Sequence, residues 1–207
     1  MKGYYFITDA HLSRAGNISD VRSAVAAGVK VVQYRVKDLS TKIMFEEARE
    51  LREICRGITF LINDRADIAL AVKADGVHLG QEDLPYGIAR RLLGKDKIIG
   101  ITVHNLKEAQ EAQKLGADYL SVSPVFPTVT KKDAGRPVGI ALIKKIKKQV
   151  SLPIIAIGGI TLSNAAEVIE AGADGICAIS EVVAKPGVKE QIRKFQALFR
   201  HSLISLP

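Results

Sequence analysis

Three polar side chains stand at alternate positions in the stretch QYRVKD: Gln33, Arg35 and Lys37. Alternate residues of an extended chain share a face, so an amide, a guanidinium and an ammonium line one stripe. Two cations on a buried stripe are costly unless a carboxylate or an anionic ligand meets them. The stretch is therefore either an internal salt-bridge layer or part of a site for an anion. A second set lies in VFPTVTKKD, where Thr128, Thr130 and Lys131 offer two hydroxyls and an ammonium to phosphate oxygens. A solvated loop is the rival reading, and Lys132 belongs to solvent. Carboxylates follow two further apolar runs, Asp64 beside Asn63 in LINDRAD and Asp83 in GQEDL. Oxygen ligands beside a phosphate suit Mg²⁺, which needs few protein ligands; Asp ahead of a helical stretch also serves as an N-cap. Near the end, AIGGI and AIS place Gly158, Gly159 and Ser180 where backbone N–H groups can approach a phosphate, or where a turn simply requires glycine.

These residues need a scaffold that gathers them. Eight short β-branched runs recur along the chain: YYFITD, VKVVQYRV, ITFLIND, DGVHLGQ, KIIGITVH, DYLSVSPVF, LPIIAIGG and DGICAIS. Amphipathic stretches such as NISDVRSAVAAG, TKIMFEEARELREICRG, NLKEAQEAQKLG and SNAAEVIEAG separate them, several closing on Gly as a helix C-terminus does. The junctions AAGVKVV, VKADGVHL, LGADYLSV and AGADGICAI resemble one another, so one unit recurs. Strands apolar on both faces belong to a parallel sheet covered by helices. The expectation is an α/β chain forming a single-domain (β/α)8 TIM barrel over residues 1–207, with a doubly wound open sheet as the alternative. A barrel sends every strand C-terminus to one face. There the sequence places Asp9, the Gln33 to Lys37 stripe, Asn63, Asp64, Gln81, Asp83, Thr102, His104, the Thr128 loop, the two glycines and Ser180.

Composition narrows the partners. The net charge of +8 favours anions, but aromatic residues are 5% and Trp is absent, so the stacking platforms of a single-strand nucleic-acid binder are missing. The lysines of KKIKKQ read as a solvated helix face. Cys55 and Cys177 stand far apart without a CxxC spacing and read as buried hydrophobes. His78 and His104 read as packed, hydrogen-bonded groups or as an acid–base pair. The opening MKGYYFITDA lacks an apolar signal core, and no apolar run approaches the roughly 20 residues of a membrane span. A cytoplasmic protein with no membrane or nucleic-acid partner is expected.

Taken in order, YFITD, QYRVKD, INDRADIALAVKADGVHLGQEDL, GADYLSVSPVFPTVTKKD, PIIAIGGI and GADGICAIS resemble the thiamine phosphate synthase and TenI superfamily over almost the whole chain. The resemblance implies Mg²⁺-dependent transfer of a pyrimidinylmethyl group. Hydroxymethylpyrimidine diphosphate condenses with hydroxyethylthiazole phosphate to give thiamine monophosphate and pyrophosphate. It implies Gln33, Arg35, Lys37 and Asn63 on the pyrimidine diphosphate, Lys131 on its pyrophosphate and Thr102 among the substrate-binding residues, with Arg35, Lys37, Lys131 and Thr102 acting in catalysis. Asp64 and Asp83 are then metal ligands, and Thr128, Thr130, Gly159, Ile179 and Ser180 meet the thiazole phosphate. Thr102 stands where the family commonly has serine. The rivals are the TenI branch, a thiazole tautomerase with a histidine where this chain has Pro124, and a non-catalytic regulator on the same barrel. DAGRPVGIAL departs from the family at Ile140 and Ala141, and Arg136 there reads as a solubilising charge or, alternatively, as an extra anion contact. Neither the oligomeric state, a homo-oligomer included, nor carboxylation of the thiazole is set by the sequence.

Overall fold

Alternation along each strand gives this sheet two apolar faces, and closing it into a barrel buries both. The computed structural model describes residues 1–130 and 135–201. Strands and helices alternate in chain order. They run β1 Gly3–Ile7, α1 Asn17–Ala26, β2 Val31–Tyr34, α2 Thr41–Ile54, β3 Thr59–Asn63, α3 Ala66–Ala71, β4 Gly76–Leu79 and α4 Tyr86–Leu93. The second half continues with β5 Ile98–Val103, α5 Leu106–Leu115, β6 Tyr119–Val122, α6 Gly139–Lys147, β7 Ile154–Ile157, α7 Ala165–Glu170, β8 Gly175–Cys177, α8 Ile179–Val183 and α9 Val188–His201. Each strand pairs in parallel with the next, and β8 pairs with β1 through Gly3–Gly175 and Tyr4–Ile176, which closes the barrel. The open-sheet alternative is thereby excluded.

The outward set, including Phe6, Val32, Phe60, Ile62, Leu120 and Ile176, packs beneath the helices. The inward set, Tyr5, Ile7, Val31, Leu61, Tyr119, Ile155 and Cys177, fills the barrel axis. Tyr119 fits there because its cross-strand neighbour, Gly100, has no side chain. A Cβ on Gly100 would stand 2.0 Å from Cζ of Tyr119. Both cysteines are buried, as hydrophobes would be.

The recurring junction seen in the sequence has a physical role. Asp75, Asp118 and Asp174 precede β4, β6 and β8, and each carboxylate accepts a backbone N–H from the strand before, Phe60, Ile99 and Ile154 respectively, at 2.7–2.9 Å. Each also pairs with a cation of the preceding even-numbered helix: Arg52, Arg90 and Lys147. The device ties strand, helix and next strand together at the N-terminal end of the barrel, opposite the ends that build sites.

At the outer edge, α1 buries Asn17 and Asp20 against the layer that carries Glu47 of α2, and Asn17 donates its amide to Glu47 at 3.2 Å. One oxygen of Asp20 has no hydrogen-bond partner, and burial raises its carboxyl above the ordinary range against the opposing pull of Ser13. A carboxyl whose pKa is higher folded than unfolded binds more protons in the native state. Its favourable contribution is full below the unfolded value and is lost as pH rises through the folded one. Asp20→Asn should therefore raise Tm by about 2–4 °C at neutral pH and little at pH 4, checked by thermal melts across that range.

Candidate active site at the barrel mouth

The C-terminal ends of the strands open into a cavity of about 690 Å³. Its lining includes Gln33, Arg35, Lys37, Asn63, Asp64, Asp83, Thr102, Thr128, Thr130, Gly159, Ile179 and Ser180. Lys131, the remaining residue singled out in the sequence, lies outside the described residues. Residues from the ends of seven strands, β2 to β8, are thus brought to one space by barrel closure.

On one wall, β2 ends at Tyr34, so Arg35 and Lys37 stand just past the strand and not within it. Their alternation nevertheless carries them into the cavity. Backbone pairing fixes the first: Arg35 N donates to the Thr8 hydroxyl at 2.8 Å, and that hydroxyl donates to the Arg35 carbonyl at 3.0 Å. The buried Asp9 carboxylate, held by the N–H groups of His11 and Leu12, lies 3.6 Å from the Arg35 guanidinium. Lys37 donates to Asp64 at 2.7 Å. Each cation on the stripe is met by one carboxylate, so the salt-bridge reading holds in part, yet both side chains still face the cavity.

Asp64 and Asp83 sit together below these cations. Neither caps a helix: Arg65 precedes α3 and Pro85 precedes α4, both without a side-chain cap. Asp64 adopts a left-handed backbone, φ 62°, with its N–H donated to the His78 carbonyl at 2.8 Å. Asp83 accepts the Gly80 N–H at 2.6 Å. Burial raises the Asp83 carboxyl, and the adjacent Asp64 carboxyl raises it further, while Lys37 opposes the shift. Two adjacent carboxylates, one hindered in its ionisation by the other, suit a hard dication. Among the described residues no cluster of three or more His, Cys, Asp or Glu could cage a metal alone.

The opposite wall is built from backbone. Gly158 and Gly159 at the end of β7 have φ 98° and 63°, and a Cβ on Gly159 would stand 2.5 Å from the Pro127 carbonyl. Phe126 N donates to Gly158 O at 3.0 Å, which holds the segment leading to Thr128 and Thr130 against this turn. Asn164 fastens the other side, accepting the Thr161 N–H at 2.8 Å and donating to Gly159 O at 3.0 Å. Val129, between the two threonines, is 96% exposed. Ile179 and Ser180 open α8 beside the turn.

Other residues reach the cavity that the motif reading did not single out as ligands. Ser121 is buried at its floor and pairs in register with Thr102; His78, Glu82 and Ser123 also line it. Period-two counting from Tyr119 would have pointed Ser121 inward. His104 pairs with Glu108 at 3.1 Å at the rim.

A sequence model described as thiamine monophosphate synthase, TMP-TENI, matches residues 4–182. The chain belongs to that family. Within the thiamine monophosphate synthase family, it is 52% identical over 200 residues to the thiamine-phosphate synthase of Methanosarcina barkeri, covering 96% of this chain and 91% of that one. It is 50% identical to the thiamine-phosphate synthase of Chloroflexus aurantiacus, over 94% of this chain and 91% of the relative. A solved structure of thiamine phosphate pyrophosphorylase from Pyrococcus furiosus superposes with a TM-score of 0.89 at 40% identity, covering 97% and 96% of the two chains.

Proposed function

We propose that this chain is a Mg²⁺-dependent thiamine-phosphate synthase that joins hydroxymethylpyrimidine diphosphate to hydroxyethylthiazole phosphate. The observation that carries the reading is the pair of unlike walls around one cavity. One wall has two cations over two carboxylates, and the other is a glycine turn with two threonines. The first suits a diphosphate with a metal, the second a single phosphate.

In this reading Arg35 and Lys37 bind the diphosphate, and their attraction grows as negative charge collects on the departing group. Asp64 and Asp83 would hold Mg²⁺, which when bound would neutralise charge on the leaving pyrophosphate. The bond between the pyrimidine methylene carbon and the diphosphate oxygen breaks with its electron pair leaving on oxygen. The methylene cation is stabilised by the aminopyrimidine, and the thiazole nitrogen lone pair then forms the new C–N bond. Charge balances without net proton transfer. Gly159, Thr128, Thr130 and the Ile179 and Ser180 backbone hold the thiazole phosphate so that its nitrogen meets the cation at high effective concentration, and a filled cavity keeps water from it. Lys131 completes the pyrophosphate clamp in this assignment. Among the described residues no helix is long and apolar enough to cross a membrane.

The test is incubation of purified protein with both substrates and Mg²⁺, with and without chelator, followed by chromatography and mass detection of thiamine monophosphate. Chelator-sensitive product is expected; folded protein that yields none, but interconverts thiazole isomers, is a tautomerase. Gly159→Ala should raise KM for the thiazole phosphate by about tenfold, because the new methyl pushes the Pro127 carbonyl and the threonine segment outward. KM for the pyrimidine diphosphate should stay within about twofold, and steady-state kinetics in each substrate separate the two.

A further inference from the structure

A chain of side-chain hydrogen bonds crosses the barrel interior and joins two residues of the cavity. Gln33 Nε2 donates to the Tyr5 hydroxyl at 2.8 Å. The Tyr5 and Tyr119 hydroxyl oxygens lie 2.8 Å apart, Tyr119 lies 2.8 Å from His78 Nδ1, and His78 Nε2 lies 2.8 Å from the Thr102 hydroxyl. The His78 ring also stacks on Tyr119, with centroids 5.5 Å apart. Gln33, Tyr5, Tyr119 and His78 are all buried.

Counting protons gives the chain a direction. Burial pushes both phenols far above their ordinary range, so each keeps its proton and donates once. With the Gln33 amide nitrogen directed at Tyr5, the Tyr5 proton goes to Tyr119. The Tyr119 proton then goes to His78 Nδ1, which must be bare. A neutral imidazole then carries its proton on Nε2 and gives it to the Thr102 oxygen. The Thr102 proton is left for the cavity, as is the Gln33 carbonyl oxygen. Turning the Gln33 amide over reverses every bond and exchanges the two roles, because no member can change alone without leaving a buried donor or acceptor unmatched.

We propose that Tyr5, Tyr119 and His78 are positioning residues whose hydrogen-bond direction presents Gln33 as an acceptor and Thr102 as a donor to the substrate. The proposal rests on the synthase reading. An aminopyrimidine offers an exocyclic N–H and a ring nitrogen lone pair, the complement of one acceptor and one donor held on separate strands. The direction of the chain thus selects which edge of the ring meets which strand, and so where the reactive methylene points.

The test begins with the substrate-free protein labelled with ¹⁵N-histidine. Among its four histidines, the His78 signals are assigned by their loss in His78→Asn. A neutral ring protonated on Nε2 is expected; protonation on Nδ1, or on both nitrogens, overturns the proposal whether or not the protein makes thiamine monophosphate. In kinetics, Tyr119→Phe should raise KM for the pyrimidine diphosphate about tenfold while KM for the thiazole phosphate moves less than about twofold. Thr102→Val should cost a similar factor in kcat/KM, and the double variant little more than either, since both cut one chain. Independent effects that multiply in the double variant overturn it. Should Tyr119→Phe fail to fold, Tyr5→Phe with Thr102→Val gives the same cycle, and the wild-type tautomer stands as a separate result.

Discussion

Asp64→Asn is expected to lower Mg²⁺-supported turnover by about 10²–10³-fold while leaving Tm within a few degrees of the parent protein. The two effects separate because Asp64 contributes little to folding. Its backbone is left-handed, φ 62°, a conformation asparagine tolerates as well as aspartate. Its partner Lys37 is half-exposed, so the lost ion pair is worth under about 1 kcal/mol. The substitution also removes the neighbour that hinders ionisation of Asp83, which offsets part of that loss. On the proposed reading, what disappears is one of the two carboxylates that would hold the dication, and Mg²⁺ titration calorimetry should show weaker binding in step with the rate. Turnover within about threefold of the parent, against the magnitude expected for losing a metal ligand, would remove Asp64 from the site. Asp64→Gly relieves the backbone as well, so it should melt no lower than the asparagine variant.

Gly100→Ala should be among the most destabilising single methyl additions in the molecule, at about 3 kcal/mol or more. The added carbon would lie 2.0 Å from Cζ and 2.5 Å from the hydroxyl of Tyr119. That ring is fully buried between Tyr5 and His78 and has nowhere to go. Either β5 shifts against β6 or the ring leaves its place, and both disturb Thr102 and Ser121, which pair across the same two strands. Denaturant unfolding reads the loss, and Tyr119→Leu in the same chain should recover part of the stability without recovering activity. A Gly100→Ala protein as stable as the parent would show that the interior repacks freely.

The two variants mark two kinds of legibility. Asp64 was visible because an aspartate after an apolar run is locally unusual, and the run INDRAD announces it. Its role was not: helix capping and metal binding predict the same residue, and only the structure shows Arg65 and Pro85 in the capping positions. Gly100 carried no signal at all, since a glycine inside KIIGITVH gains meaning only when Tyr119 arrives across the strand pair. Arg35 and Lys37 were placed on a strand by alternation, whereas hydrogen bonding ends the strand at Tyr34; the stripe survives because the Thr8 hydroxyl clamps the next residue in line.

By itself the sequence determined the strand and helix alternation, the inward and outward faces, the recurring junction from a small-residue helix end into an apolar strand, and the family to which the chain belongs. Each is written in residues close together, because propensity, period and motif are local properties. Tertiary structure decided that Asp9 answers Arg35, that Asp64 stands beside Asp83, and that Gln33 and Thr102 are ends of one hydrogen-bond chain. Those pairings join strands far apart in sequence, and they exist only once barrel closure fixes the register between neighbours.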